Sequence, residues 1–399
     1  MRIDPWKVLK ESECIQLLQS LVRTPSVNPP GGERACGELL AALFDAEAID
    51  NELVPIEETR CNVVARLAAA GSPAGAPPGN RKPVLLYSGH LDTVPAGQRP
   101  WERDPYSGTI DGDRLYGLGA CDMKAGLAAV SLAAVVLKRL GVALAGDLLV
   151  VASAGEETDS VGARQFLDSR ASEGVSAAVI AEPTSLNVHV AEKGALWAEF
   201  VLDGRTAHGS RPDLGVNAID GAAELLSLLR QLSFVQLDHP LLTPATLSIN
   251  TIAGGVKTNV IPDRCSISVD IRSVPGQDHG DLVRQLQQVL DIALSRVPAL
   301  RGSVTVINNR VPMETDQRDP LVRAALESLQ GVGRTEAEVR GQAAFTDASV
   351  FTAAGIPQII LGPGPEWMAH CPDEYTSIGQ YLQAVEVFAS LAVGYLGVY

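Results

Sequence analysis

The sequence predicts an α/β protein in which a three-layer domain with a mostly parallel sheet is interrupted by a smaller α+β domain. Apolar runs without polar alternation, typical of strands buried on both faces, occur at residues 84–88, 148–152 and 177–181. A predicted helix at residues 124–140 separates the first two runs, as in a parallel α/β arrangement. After residue 194 the strands alternate apolar and polar residues, which indicates half-exposed strands and a second sheet.

The region before the first buried strand is predicted to be mainly helical. Apolar residues at helical spacing predict helices over 11–22 and 33–48, and the loop between them contains Asn28-Pro29-Pro30-Gly31-Gly32. A strand is predicted at 62–67. Residues 68–82 are rich in Ala, Gly and Pro, which predicts an exposed connector without a function of its own.

The middle of the chain has a β-α-β-β-α-β order that resembles a ferredoxin-like α+β domain with an antiparallel sheet. The predicted elements are a strand at 196–202, a helix at 216–232, strands at 246–252 and 265–271, a helix at 280–296 and a strand at 303–308. A helix near 321–329 and a strand at 358–361 then resume the first pattern. We therefore predict an inserted domain over 194–308 and a discontinuous larger domain over 1–193 and 309–399.

Composition excludes several classes of function. The 399 residues carry a formal net charge of −15, so we expect no binding to nucleic acid, which requires a basic surface. The six cysteines form no C-x-x-C pair, and we expect reduced thiols in a cytoplasmic protein. We expect neither a signal peptide nor a membrane span, and the most apolar helix, near residues 127–137, is interpreted as buried core.

Side chains of the types that can bind metal ions lie directly after several of the predicted strands. These are His90 with Asp92, Glu156 with Glu157, Glu182 and His370, while Asp122 stands at the start of the 124–140 helix. Because loops at the carboxyl ends of parallel strands meet in one crevice, we expect these side chains to converge. Carboxylates and imidazoles that converge on rigid elements are typical of hydrolytic metal sites. His90 and Asp92 face the same way, so Asp92 can orient a metal-bound His90.

Each of these residues also has an ordinary structural interpretation. His90 and Asp92 could be a structural pair, the adjacent glutamates a solvated surface pair, and Asp122 a helix N-cap. A metal site is favoured because a ligand type follows each of several strands. The segment from Gly117 to Asp122 also begins like a dinucleotide-binding fingerprint. Asp122 replaces its third glycine, and a carboxylate there would repel a pyrophosphate, so a nucleotide-dependent oxidoreductase is disfavoured.

Five segments together resemble the acetylornithine deacetylase and succinyl-diaminopimelate desuccinylase family, which includes aminoacylases and glutamate-releasing carboxypeptidases. They are Ser88-Gly89-His90-Leu91-Asp92-Thr93-Val94-Pro95, Gly117-Leu118-Gly119-Ala120-Cys121-Asp122-Met123-Lys124, Gly155-Glu156-Glu157, Ala181-Glu182-Pro183-Thr184 and Ala369-His370-Cys371-Pro372-Asp373-Glu374-Tyr375. The match covers nearly the whole chain in the family's order.

The resemblance implies a centre of two divalent metal ions, zinc or alternatively cobalt. Asp122 would bridge both ions. His90 and Glu182 would complete the first ligand set, and Glu157 and His370 the second.

The resemblance also implies the catalytic roles. Asp92 would orient His90, and Glu156 would be the general base for a water activated between the two metals. A cis peptide is expected between Asp122 and Met123.

The inserted domain carries further matches. The segment around His208 resembles the one whose histidine reaches the partner subunit's site, which implies a homodimer and an oxyanion-binding role for His208. A plain surface histidine is the alternative. The segments around Asn259 and Arg272 resemble those that hold the transition state and the substrate carboxylate. Arg272 could instead form an ion pair at the end of its strand.

One segment departs from the family's pattern. Phe345 precedes Thr346 where many relatives have glycine, so the identity of the acyl group cannot be carried over. Thr346 and Gly362, the latter in a glycine loop, are predicted substrate-binding positions.

These observations predict a metallo-amidohydrolase that removes an acyl group from an N-acyl amino acid. The alternative on the same site is a dipeptidase or a glutamate-releasing carboxypeptidase acting on a short peptide. A catalytically silent metal-binding protein is the third hypothesis.

Overall fold

The structure, a computed structural model, describes residues 2–71, 83–232, 234 and 237–399. The predicted connector at 68–82 lies mostly outside the described residues. By its internal contacts the chain divides into two units. The first unit comprises Met1–Val190, Glu314–Arg340 and Thr346–Tyr399, and the second comprises Ala191–Met313 and Gly341–Phe345. The sequence analysis did not foresee that the short segment Gly341–Phe345 belongs to the second unit.

The helices are α1 (Glu11–Arg23), α2 (Arg34–Ala46), α3 (Ala125–Arg139), α4 (Val161–Leu167), α5 (Ala218–Leu229), α6 (His279–Arg296), α7 (Pro320–Gly331), α8 (Ala348–Ala353) and α9 (Ile378–Leu396). The strands are β1 (Asp50–Glu57), β2 (Arg60–Leu67), β3 (Val84–His90), β4 (Ile110–Asp111), β5 (Arg114–Tyr116), β6 (Asp147–Ser153), β7 (Val175–Ile180), β8 (Val188–Glu192), β9 (Gly194–Asp203), β10 (Thr246–Gly254), β11 (Arg264–Ser273), β12 (Arg301–Arg310), β13 (Met313–Glu314), β14 (Val339–Gln342), β15 (Gln358–Ile360) and β16 (Tyr375–Ser377).

A large mixed sheet forms the centre of the first unit. Its order is β1-β2-β6-β3-β7-β15-β8-β13, with β14 paired to β8. The neighbours β6, β3, β7 and β15 run parallel, whereas β1 and β2 are antiparallel strands at one edge. Every residue of β3 and β6 is buried, as the apolar runs predicted. The mixed α/β class with a large sheet of parallel central strands is therefore confirmed. The prediction missed β1, whose polar and apolar residues are mixed as at a sheet edge.

The helix α3 is a core helix. Every residue from Ala125 to Leu137 is buried, since α3 packs against α9 and against strands of the sheet. Among the described residues, one stretch, Ala120–Arg139, is long and apolar enough to cross a membrane, but 94% of its most apolar window lies inside the fold. This agrees with the interpretation of residues 127–137 as core. Gly126 permits the close packing, because a Cβ there would lie 1.8 Å from the carbonyl oxygen of Ala181.

The second unit contains an antiparallel sheet with the order β10-β11-β9-β12. The elements follow one another as β9-α5-β10-β11-α6-β12, which is the predicted β-α-β-β-α-β order. Along β11 buried residues alternate with partly exposed ones, because one face of the sheet packs on the two helices. Phe200, Leu225, Ile267 and Leu286 lie in this core.

Candidate metal centre

The parallel strands bring the predicted ligands to one edge of the large sheet. His90 is the last residue of β3, Glu157 lies in the turn after β6, and Glu182 follows β7. His370 lies in the loop after β15, and Asp122 lies in the turn that precedes α3. Because β6, β3, β7 and β15 are adjacent and parallel, their carboxyl ends deliver these side chains to a common place.

The ligand atoms form two clusters that share Asp122. In the first, Nε2 of His90 lies 3.2 Å from Oδ1 of Asp122 and 3.5 Å from Oε1 of Glu182. In the second, Nε2 of His370 lies 3.3 Å from Oδ2 of Asp122 and 3.1 Å from Oε2 of Glu157. Within each cluster the ligand atoms lie within 4.8 Å of one another, so each could hold a metal ion. The two oxygens of Asp122 face different clusters, as a bridging carboxylate requires.

These separations suit a small tetrahedral cation. Ligand bonds of about 2.0–2.2 Å give a tetrahedron with edges of about 3.3–3.6 Å. The nitrogen-to-oxygen distances of 3.1–3.5 Å fall at or near those edges. The donor set of each cluster, one imidazole and two carboxylates, is also a set that zinc accepts. The side chains present therefore fit an ion of the zinc class in each cluster.

The tautomer of His90 is set by a main-chain carbonyl. Its Nδ1 lies 2.9 Å from the backbone oxygen of Asp92, so Nδ1–H donates there and Nε2, which faces Asp122 and Glu182, is the nitrogen that could bind a metal ion. The carboxylate of Asp92 is farther away, with Oδ1 3.5 Å from Nδ1. Asp92 thus contacts the ring of His90 through its backbone oxygen by a hydrogen bond and, at the longer distance, through its carboxylate.

The carboxylate of Asp92 also holds the turn after β6. Its oxygens accept hydrogen bonds from the backbone N–H groups of Gly155, Glu156 and Glu157 at 3.1–3.2 Å. The side-chain amide of Asn28 donates to the same carboxylate at 2.9 Å. The sequence analysis missed Asn28, and its place before two prolines was the available signal. Asp92 therefore anchors the turn that carries Glu156 and Glu157.

Several carboxyl groups are buried close together at this site. Burial raises the pKa values of Glu156 and Glu182 well above their usual range, and neighbouring carboxylates raise them further. Hydrogen bonds to Asp122 and Glu157 raise the pKa of His370 to about 11. Burial opposes ionisation of Asp122, but hydrogen bonds from His370 and His90 more than offset it and lower its pKa. Bound divalent cations would compensate this concentration of carboxylates.

Glu156 lies beside the two clusters without belonging to either of them. Its side chain is buried, and its pKa is raised by burial and also by Asp347 and Glu157. A buried carboxylate that lies outside both ligand sets can exchange a proton with a reacting group.

Two other predicted positions in the first unit have clear structural roles. A Cβ on Gly362 would lie 2.4 Å from the carbonyl oxygen of Ala181 and 2.5 Å from that of Glu182, so glycine permits the close approach of these two segments. Thr346 is buried, and its hydroxyl accepts a hydrogen bond from the N–H of Ala348 at the start of α8.

The glycine-rich turn before α3 is already bonded to an internal carboxyl group, that of Glu374, whose pKa burial raises to about 8. The backbone N–H groups of Gly119, Cys121 and Asp122 donate to the carboxylate of Glu374 at 2.7–2.9 Å. In a nucleotide site such groups would bind phosphate. The structure therefore agrees with the rejection of a dinucleotide site and supplies a second reason for it. The peptide between Asp122 and Met123 is cis, as expected.

The second unit holds His208, Asn259 and Arg272. His208 pairs with Val260 in an isolated bridge, and the N–H of Gly209 donates to the backbone oxygen of Asn259, so His208 and Asn259 are neighbours. The guanidinium of Arg272 lies 3.0 Å from Oδ1 of Asp270, which is the ion pair left open as its alternative role.

Arg272 also lies 5.2 Å from the ring centre of Phe345, and the guanidinium of Arg310 lies 5.5 Å from the same ring. Phe345, the residue that departs from the family's pattern, is therefore part of the surroundings of Arg272.

A family comparison identifies this arrangement. Residues 86–393 match the model of peptidase family M20/M25/M40. The chain belongs to peptidase family M20/M25/M40. Like other members, it is a metallo-amidohydrolase that acts on linear amides.

Curated relatives and solved structures agree with membership of the M20 family. The chain is 29% identical to a probable succinyl-diaminopimelate desuccinylase of Staphylococcus aureus, over 97% of this chain and 98% of the relative. It is 32% identical to an acetylornithine deacetylase of Proteus mirabilis, over 92% of each chain.

The solved structures are members of the same fold. Aminopeptidase PepT of Bacillus cereus superposes with a TM-score of 0.77 at 20% identity, covering 97% of this chain and 99% of that one. The YXEP protein of Bacillus subtilis, a dinuclear metal binding peptidase from the M20 family, superposes with a TM-score of 0.74 at 19% identity, covering 98% and 99%. At these identities the likeness establishes the fold of the M20 family and no substrate.

Proposed function

We propose that this M20 enzyme hydrolyses the amide bond of an N-acyl amino acid, as a deacetylase or desuccinylase does, with two zinc ions. The observation that carries the proposal is the pair of ligand clusters that share Asp122 beside the buried Glu156. The curated relatives named above are deacylases and match over more than nine tenths of the chain. A silent metal-binding protein would have no need of Glu156 in addition to the metal ligands.

The ligands proposed for the first ion are His90, Asp122 and Glu182, and those for the second are Asp122, Glu157 and His370. When bound, the two cations would polarise the amide carbonyl and make the attacking water more acidic. The YXEP protein is a dinuclear metal binding peptidase, which supports two ions here, and cobalt is the alternative metal.

Glu156 is proposed to carry the proton through both halves of the reaction. As the water oxygen bonds to the carbonyl carbon, Glu156 accepts a proton from that water. As the carbon–nitrogen bond breaks, Glu156 returns the proton to the departing amine, so one carboxylate ends the cycle unchanged. Asp92 accepts a hydrogen bond from the backbone N–H of Glu156 and so holds the turn that carries this base. We propose that Thr346 and Gly362 line the substrate pocket near this base.

We propose that residues 194–308 form a ferredoxin-like lid and dimerisation domain inserted into the catalytic domain of 1–193 and 309–399. The sheet order with β9 and β11 at the centre supports the ferredoxin-like assignment. Ile252 and Val256, on and after the edge strand β10, are 54% and 86% exposed, which supports an interface there. Arg272 and Asn259 are proposed to bind the substrate carboxylate and the transition state.

The side chain of His208 is prepared to donate a hydrogen bond. Its Nδ1 lies 2.8 Å from the hydroxyl of Ser210 and accepts the backbone N–H of Ser210 at 3.2 Å; with Nδ1 as the acceptor of both, the neutral ring carries its proton on Nε2. We propose that this Nε2–H stabilises the oxyanion in the partner subunit's site.

A mixed dimer tests the role of His208. His208→Ala and Glu156→Ala homodimers are each expected to be inactive, whereas mixing and re-associating them should restore about a quarter of wild-type activity per subunit, because half of the dimers then contain one complete site. Activity is measured after refolding the mixture, with each variant refolded alone as the control. A mixture that dimerises but regains no activity would refute a role in trans.

A substrate panel tests the proposed reaction. With zinc or cobalt bound, kcat/KM for acetyl and succinyl amino acids is expected to exceed that for dipeptides and carboxy-terminal glutamate conjugates by about 10²-fold, since a binding site discriminates best by polar groups that only one substrate satisfies. The panel also includes carbamoyl amino acids. A preference for peptides would establish the alternative reaction, and hydrolysis of none of these substrates by a protein that binds two ions would establish the silent protein.

A further inference from the structure

Glu374 is a buried carboxyl group that contacts the turn of Asp122 through backbone N–H groups. Glu374 is 1% exposed. Its two carboxyl oxygens accept three hydrogen bonds from backbone N–H groups. Oε2 accepts the N–H of Gly119 at 2.9 Å, and Oε1 accepts those of Cys121 at 2.7 Å and Asp122 at 2.9 Å. Three hydrogen bonds from one carboxyl group to a single turn constrain the shape of that turn.

The turn that Glu374 holds ends at the ligand shared by both clusters. Gly119 has a left-handed backbone with φ of 77°, which allows the turn to direct several N–H groups toward one point. Asp122 receives a hydrogen bond to its own N–H, so the position of its Cα depends directly on the carboxylate. A shift of this Cα would move both oxygens of Asp122, and therefore both ligand sets, at once.

Glu374 also joins this turn to the segment that supplies the ligand His370. Its backbone oxygen accepts the N–H of Gly117 at 2.9 Å, and the next residue, Tyr375, pairs with Tyr116 in the short sheet of β16 and β5. His370 precedes Glu374 by only a few residues in the chain. These contacts therefore help to determine the distance between Asp122 and His370.

We propose that Glu374 is a positioning residue that fixes Asp122 between the two metal sites. The inference rests on the proposed two-metal function and adds to it a residue that binds neither metal nor substrate. The proposed role of Glu374 has a distinct consequence. Displacement of Asp122 must weaken metal binding at both sites together, whereas loss of a ligand that is not shared weakens metal binding at one site.

Asp147 provides a matched control. It is also a buried carboxylate, and it accepts the N–H of Ala69 and a guanidinium hydrogen of Arg66, each at 2.7 Å. It lies at the start of β6, whereas Glu156 and Glu157 follow the other end of that strand. Asp147→Asn therefore removes a buried charge from the same unit without touching the turn of Asp122.

The experiment compares Glu374→Gln, Glu374→Asp, His370→Ala and Asp147→Asn in the full chain. Zinc stoichiometry and affinity are measured by chelator competition, and kcat and KM are measured in parallel. We expect Glu374→Gln to lower the affinity for both zinc ions together by about 10- to 100-fold, as changes around metal ligands do. We also expect it to lower kcat. Glu374→Asp keeps a carboxyl group and should restore part of the affinity, while Asp147→Asn should keep both ions at wild-type affinity with a lower Tm.

Two ions bound by Glu374→Gln with wild-type affinity would overturn the inference, and so would selective loss of one ion as in His370→Ala. If Glu374→Gln does not fold, Glu374→Asp decides by the same criterion, since equal weakening of both sites is expected there too. Wild-type protein serves as the reference for the underlying proposal. If wild-type protein fails to bind two ions, the proposed function is refuted. If wild-type protein binds two ions and Glu374→Gln binds them with the same affinity, only the role of Glu374 is refuted.

Discussion

Replacing Glu156 by Gln is expected to lower kcat by about 10²- to 10⁴-fold while both metal ions remain bound. Gln has nearly the same shape as Glu but cannot accept a proton at neutral pH. Glu156 lies outside both ligand clusters, and its backbone N–H, which Asp92 binds, is unchanged by the substitution. Single-turnover kinetics with an N-acetyl amino acid, together with zinc content by atomic spectroscopy, would measure the two effects separately.

The adjacent residue provides the control for Glu156. Glu157→Gln alters a residue of the Asp122–Glu157–His370 cluster and is expected to reduce the zinc content toward one ion per chain. Each variant thus removes one of two adjacent carboxylates in the same turn. Glu156→Gln is expected to keep both metal ions, whereas Glu157→Gln is expected to lose one. Wild-type turnover by Glu156→Gln with two ions bound would exclude Glu156 as the base, and loss of an ion from it would indicate a ligand instead.

Replacing Asp122 by Ala is expected to abolish activity and to weaken both metal sites together. Its two oxygens lie 3.2 Å from Nε2 of His90 and 3.3 Å from Nε2 of His370, one in each cluster. Loss of a direct ligand should exceed the about 10- to 100-fold effect that groups around a metal site produce. Titration of the variant with zinc in the presence of a competing chelator gives the stoichiometry and both affinities.

Ligands that belong to one cluster provide the comparison for Asp122. Glu182→Ala is expected to weaken the site of His90, and His370→Ala the site of Glu157, with the other ion retained in each case. An Asp122→Ala protein that keeps one ion at wild-type affinity would show that the carboxylate does not bridge. The two-metal proposal would then have to give way to a single-metal site.

Side-chain pattern alone predicted the part of the centre that depends on strand ends. Buried apolar runs located β3, β6 and β7, and the residues directly after a parallel strand must lie at its carboxyl edge. His90, Glu157 and Glu182 could therefore be expected to meet before any coordinates were known. The same pattern could not exclude the surface or N-cap interpretations, because those depend on distances between segments far apart in the chain.

The sequence by itself determined the α/β class, the order of the elements in the second unit and the residues that converge on the two clusters, since periodicity and ligand chemistry reside in side-chain types. Only the tertiary structure decided what holds them. Asp92 reaches His90 by its backbone oxygen and uses its carboxylate on the turn of Glu156, and Glu374 bonds to the N–H of Asp122 252 positions away. Backbone N–H groups are the same in every residue except proline, so no side-chain pattern reveals which of them a distant carboxylate will meet.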